Sequence, residues 1–115
     1  MDVQSFCSAE ACEPEDGWRR VSLAGGEEFS FEWFEKPAGH SSSMHGHENA
    51  QVCVCLEGKL TVTTKSESVT LGRYDSAYLE PWEDHRVSNE TDELAIGLDV
   101  FAPGRSFDFW TDGEE

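Results

Sequence analysis

A chain of 115 residues with 37% hydrophobic and 11% aromatic side chains has the size of one compact domain and enough apolar material to bury a core. Eight Lys and Arg against 24 Asp and Glu give a net charge of −16, which disfavours nucleic acid, because phosphate binding relies on clustered cations. Carboxylates in such excess are expected of a protein kept soluble in high salt, hence of a halophilic source, with an ordinary acidic cytosolic protein as the alternative. The chain shows no basic start with an apolar run of signal-peptide length and no stretch able to span a bilayer, so a cytoplasmic protein without membrane contact is expected. Cys7, Cys12, Cys53 and Cys55 are read as free thiols, since their spacing does not suit a zinc site.

Residues 1–16 carry Glu10, Glu13, Pro14, Glu15 and Asp16 without apolar periodicity and read as an acidic, loosely ordered leader to a domain over 17–115. From Gly17 onward, short alternating runs are separated by turn residues, the pattern of an antiparallel sandwich or barrel. The strands are expected at Trp18 to Leu23, Glu28 to Lys36, Met44 to His47, Gln51 to Leu56, Leu60 to Thr64, Ser68 to Leu71, Ala77 to Glu80, His85 to Ser88 and Leu94 to Phe101. The tail ends in Phe107, Asp108, Phe109 and Trp110, and no long helical period occurs.

The chemistry is concentrated between Gly39 and Gly58, where His45, His47 and Gln51 stand, and between Gly72 and Asn89, where Glu80-Pro81-Trp82 precedes His85. Histidines at i and i+2 of a strand project to one face, so both imidazoles can reach one ion. The bland alternative is a pair of unrelated histidines in a polar loop. The joint spacing of the two stretches resembles the cupin superfamily. That resemblance implies an all-β, single-domain fold, a double-stranded β-helix or jelly-roll-like barrel. Inside it, His45, His47, Gln51 and His85 would converge on one divalent metal ion, with zinc, nickel, iron and manganese all open. Two departures stand out: Gln51 where the first motif usually ends in Glu, and Glu80 and Trp82 where the second usually has Pro and Gly. A neutral Gln ligand leaves the ion its full double charge and makes it a stronger anion receptor. Alternatively, the Gln51 amide orients a histidine or a water.

In the last strand Ala95, Gly97, Asp99 and Phe101 share one face, and Leu94, Ile96, Leu98 and Val100 the other. The first face suits a cavity wall better than a close-packed core. Asp99-Val100-Phe101-Ala102-Pro103-Gly104-Arg105 after the second motif is similar to the small cupins known as KdgF, which open the ring of unsaturated uronates. By that resemblance Asp99 is the acid/base group, Phe101 packs against the sugar, and Arg105 holds the sugar carboxylate. The structural alternatives are a solvated strand end for Asp99, core for Phe101, and a surface salt bridge to Asp108 for Arg105.

The expected function is that of a metal-dependent isomerase-like enzyme acting on a small anionic sugar. A dioxygenase of the quercetinase or cysteine-dioxygenase type and a non-catalytic metal-binding or ligand-binding cupin are the alternatives. A homodimer is expected, with Trp18, Phe34, Phe109 and Trp110 as spare apolar material for its interface.

Overall fold

The computed structural model describes residues 1–111; residues 112–115 of the expected 17–115 domain lie outside it. A 3-10 turn at Phe6–Ser8 precedes nine strands: β1 Ala11–Glu15, β2 Trp18–Ser22, β3 Ser30–Lys36, β4 Ala50–Glu57, β5 Leu60–Thr64, β6 Ser68–Leu71, β7 Ser76–Leu79, β8 His85–Ser88 and β9 Ala95–Ala102. One helical turn, α1 Asp108–Thr111, follows. The strands form an antiparallel six-stranded sheet in the order β1-β2-β3-β9-β4-β7 and a three-stranded sheet in the order β6-β5-β8. The fold is all-β, as the alternation predicts.

Strand β9 lies at the centre of the large sheet. Its register places Asp99 between Glu32 and Cys53, and Gly97 between Phe34 and Cys55. The inward row of β9 is therefore Ala95, Gly97, Asp99 and Phe101, all buried, while Ile96, Leu98 and Val100 stay half-buried on the outer face. Glycine is required at 97, because a Cβ there would run into the ring of Phe34 and into Leu60. The apolar end of the interior is filled by Phe34, Cys53, Cys55, Leu60, Val62, Leu71, Leu79, Val87 and Ala95.

Several elements differ from the sequence reading. Ala11–Glu15, read as part of a loosely ordered leader, pairs with β2 through Ala11 opposite Val21 and Cys12 opposite Arg20; the open backbone edge of β2 takes a partner that carries no apolar signal. Met44 to His47 forms no strand. His45 makes only an isolated bridge to His85, and at Gly46 the chain passes so close to the 82–84 segment that a Cβ would sit 3.0 Å from the Trp82 carbonyl oxygen. Trp18 and Phe34, read as spare interface material, are buried instead: both are on the inward rows of β2 and β3, whereas Phe31 and Trp33 occupy the half-buried outer row.

Candidate metal centre and its cavity

His85 enters from β8 of the small sheet, His45 faces it across the bridge, and His47 follows two residues later. One ring nitrogen from each lies within 4.8 Å of the others. Each Nδ1 is engaged by a backbone carbonyl: His45 by Ser43 at 2.8 Å, His47 by Asn49 at 2.9 Å and His85 by Glu83 at 2.9 Å. A neutral imidazole that donates through Nδ1 presents a lone pair at Nε2, so the three carbonyls orient three Nε2 lone pairs towards one point. Burial holds both His47 and His85 below the usual imidazole pKa, favouring the neutral, ligating form.

Gln51 is buried on β4 at the same place, with Oε1 3.0 Å from His47 Nε2 and Nε2 donating to Asp99 Oδ1 at 2.9 Å. Asp99 fixes the direction of the amide, because a carboxylate oxygen accepts only. Gln51 Oε1 then meets the His47 Nε2 lone pair, acceptor against acceptor. A cation between them removes that conflict. The donor set, three imidazole nitrogens and one amide oxygen, suits a divalent first-row transition metal without selecting one. The same geometry explains why glutamine stands here. A carboxylate at 51 would face the Asp99 carboxylate, whereas the amide satisfies it.

Behind Asp99 lies a buried ion-pair network. Arg20 donates through Nη2 to Asp99 Oδ2 at 2.7 Å and through Nε to Glu32 Oε1 at 2.8 Å, and Trp110 Nε1 donates to the same Glu32 oxygen at 2.8 Å. Burial opposes the Arg20 charge, but Asp99 and Glu32 outweigh it and raise the guanidinium pKa. Burial, followed by the Asp99 charge, pushes the Cys53 thiol well above its usual range, which makes it an unreactive core residue.

These groups line a cavity of about 690 Å³ that holds His45, His47, His85, Gln51, Asp99, Phe101 and Arg105 together. Phe101 is buried on the wall, its ring centroid 5.7 Å from that of His47. Arg105 stacks over Phe101 at 4.0 Å and over Phe109 at 4.1 Å. Its ion pair is a loose one to Glu32 at 3.8 Å, not the surface bridge to Asp108 that was the structural alternative, and Arg105 Nε has no hydrogen-bond partner among the described residues. Every residue singled out for the site in the sequence therefore meets in this one cavity. The sequence reading missed Arg20, Glu32, Lys36, Trp18 and Trp110, which also face it or brace it. The signal was present: Trp18 and Arg20 share one face of β2, and Glu32, Phe34 and Lys36 one face of β3.

Two facing antiparallel sheets with a trihistidine centre between them define a cupin, and residues 32–101 match the family model described as Cupin domain. The chain belongs to the cupin family. Among solved structures, an RmlC-like cupin from Shewanella frigidimarina superposes with a TM-score of 0.84 at 24% identity, covering 95% of this chain and 96% of that one. KdgF from a Halomonas species gives 0.84 at 18% identity, covering 95% and 98%. A sugar phosphate isomerase of the cupin superfamily from Silicibacter pomeroyi gives 0.76 at 20% identity, covering 91% and 76%. These likenesses establish the fold. No curated protein sequence matches the chain. Among the described residues, no helix is long and apolar enough to cross a membrane.

Proposed function

We propose that this cupin is an enzyme that opens the ring of a small unsaturated uronate, with one divalent ion held by His45, His47, Gln51 and His85. The observation that carries the reading is the meeting, in one cavity, of an ion site with a neutral donor set, a carboxylate beside it and an incompletely paired guanidinium over an aromatic ring. The resemblance of the Asp99 to Arg105 run to the KdgF type supports it. A divalent ion bound there supplies Lewis acidity towards an oxygen of the ligand and charge compensation for its carboxylate.

Ring opening is an isomerisation. The hemiacetal hydroxyl loses a proton, the ring C–O bond breaks to leave an aldehyde, and the released enol takes a proton on carbon to become a ketone. On this reading Asp99 moves those protons; what supports it is a carboxylate beside the proposed ion site, held by Arg20 on one oxygen and Gln51 on the other. Arg105 grips the sugar carboxylate through its guanidinium fork, and Phe101 supplies the apolar wall against which the sugar lies. We propose further that the protein works as a homodimer in the cytoplasm of a halophilic cell. Its −16 charge repels an anionic substrate at low salt; at about 1 M salt the screening length falls to roughly 3 Å and that repulsion is confined to contact.

The test is incubation of the metal-loaded protein with unsaturated monouronates, following loss of the conjugated alkene absorbance, with oxygen monitored in parallel. Consumption without oxygen uptake is expected, and Asp99→Asn at saturating metal should lose roughly a hundredfold or more in rate. Oxygen uptake would shift the reading to a dioxygenase. No turnover of any uronate would leave a binding protein.

A further inference from the structure

Lys36 is one of the chain's three lysines and is 1% exposed, on the inward row of β3, where it lines the cavity. Among the described residues its ammonium makes no hydrogen bond and no ion pair; its nearest assigned partner is the ring of Trp18, 4.5 Å below Nζ. The other charged groups around it are Arg20, Asp99 and Glu15, with the Cys53 thiol. Arg20 takes up Asp99 and one oxygen of Glu32; the other Glu32 oxygen stands 3.8 Å from Arg105 Nη2 and forms no ion pair with the lysine. Arg105 is likewise short of partners. The two cations contact different rings of one aromatic run: Arg105 lies 5.2 Å from the Trp110 ring, Trp110 packs on Trp18 at 5.1 Å, and Trp18 carries Lys36. A buried, unpaired ammonium is costly unless something else fills its donor positions, and only a ligand or solvent in the cavity can do so.

We propose that Lys36 is a second ligand-binding cation, taking an oxygen at the end of the bound acid remote from the carboxylate held by Arg105. The cavity is then built for a small acid with two oxygen-bearing ends. On the uronate reading the far oxygen is that of the hemiacetal hydroxyl, which becomes the aldehyde oxygen on opening; the choice of that oxygen rests on the reading above, the ammonium does not. Burial, followed by the nearby Arg20 charge, lowers the Lys36 pKa to about 8, so the amine is charged at neutral pH yet sensitive to what lies beside it.

Galacturonate, with one carboxylate, and galactarate, with one at each end, test this by calorimetry on the metal-loaded protein. Galactarate should bind about tenfold tighter than galacturonate to the parent, and Lys36→Met should erase that difference while keeping the parent's metal content and melting no lower than the parent. In parallel, selective lysine labelling gives three resonances, of which that of Lys36 alone should move on adding galactarate, with its titration midpoint raised because an adjacent anion favours the ammonium. If the uronate is turned over, Lys36→Met should raise KM about tenfold, by a larger factor than it lowers kcat. Equal affinities of the two acids in parent and variant, or binding of neither acid to the parent, would overturn the proposal. Lys36-dependent binding without turnover would sustain it and remove the ring-opening reading alone.

Discussion

Gln51→Glu gives the most direct test of how this centre is built. Gln51 Nε2 donates to Asp99 Oδ1 at 2.9 Å, and the substitution exchanges that donor for a second carboxylate oxygen. Two unit charges at this separation repel by about 6 kcal/mol at an effective dielectric constant of about 20. The metal-free variant escapes part of that by keeping a proton on the pair. The cost at pH 7 is then capped by the free energy of holding a proton some 2.7 pH units above the ordinary glutamate pKa of about 4.3, or about 4 kcal/mol. Because the folded pKa is raised, the native state holds more protons than the unfolded chain, so stability falls as pH rises from about 4.3 towards the raised value. Urea unfolding of the metal-free variant should match the parent near pH 4 and lose about 4 kcal/mol by pH 7. Adding Asp99→Asn should restore most of the loss, since the new amide can donate where Gln51 did. A variant whose urea midpoint tracks the parent's from pH 4 to pH 8, or a double variant no better than the single one, would refute the pairing of Gln51 with Asp99 as the reason for glutamine at this position.

Gly97→Ala should cost about 1–3 kcal/mol in chemical denaturation, because the added methyl meets the Phe34 ring and Leu60 in a filled core. Lys36→Met should stabilise the protein by up to roughly 3 kcal/mol at pH 7, the equivalent of lowering a lysine pKa from 10.5 to about 8. Between those two pH values the unfolded chain binds more protons than the native one, so the parent gains stability as pH rises and the gap to the variant should close by about pH 10.5; a gap constant with pH would refute the origin in Lys36. Light scattering should give twice the 12.9 kDa chain mass. Leu98→Glu, in the middle of the outer row Trp33, Leu98 and Val54, should return a monomer with unchanged metal content.

The long strands β3, β4 and β9 were legible because they alternate between an inward and an outward row, and burial follows that period. The histidine cluster was legible from spacing, although for a partly mistaken reason: His45 and His47 come together beside His85 through an isolated bridge, without a regular strand. What alternation alone misassigns is direction. In β3 the aromatic Phe31 and Trp33 face outward and the inward row holds Glu32 and Lys36 beside Phe34, because Lys36 lines the cavity and Glu32 is satisfied there by Arg20 and Trp110. The Asp99 alternative as a solvated strand end fails on its burial against Arg20 and Gln51, a long-range arrangement that no local pattern encodes. Strand β1 left no trace in the hydrophobic pattern, since its pairing is specified by the edge it covers.

That edge strand also decides how two copies can approach one another. Pro14 lies within β1 and has no N–H to offer, and it is flanked by Glu13 and Glu15, both exposed. A neighbouring strand drawn to the outer side of β1 would meet a missing donor and clustered negative charge, two devices that block edge-to-edge growth of a sheet. The acidic segment thus closes one margin of the large sheet to further pairing and leaves its broad apolar face as the route for association, so that a limited dimer is favoured over an open-ended ribbon of copies.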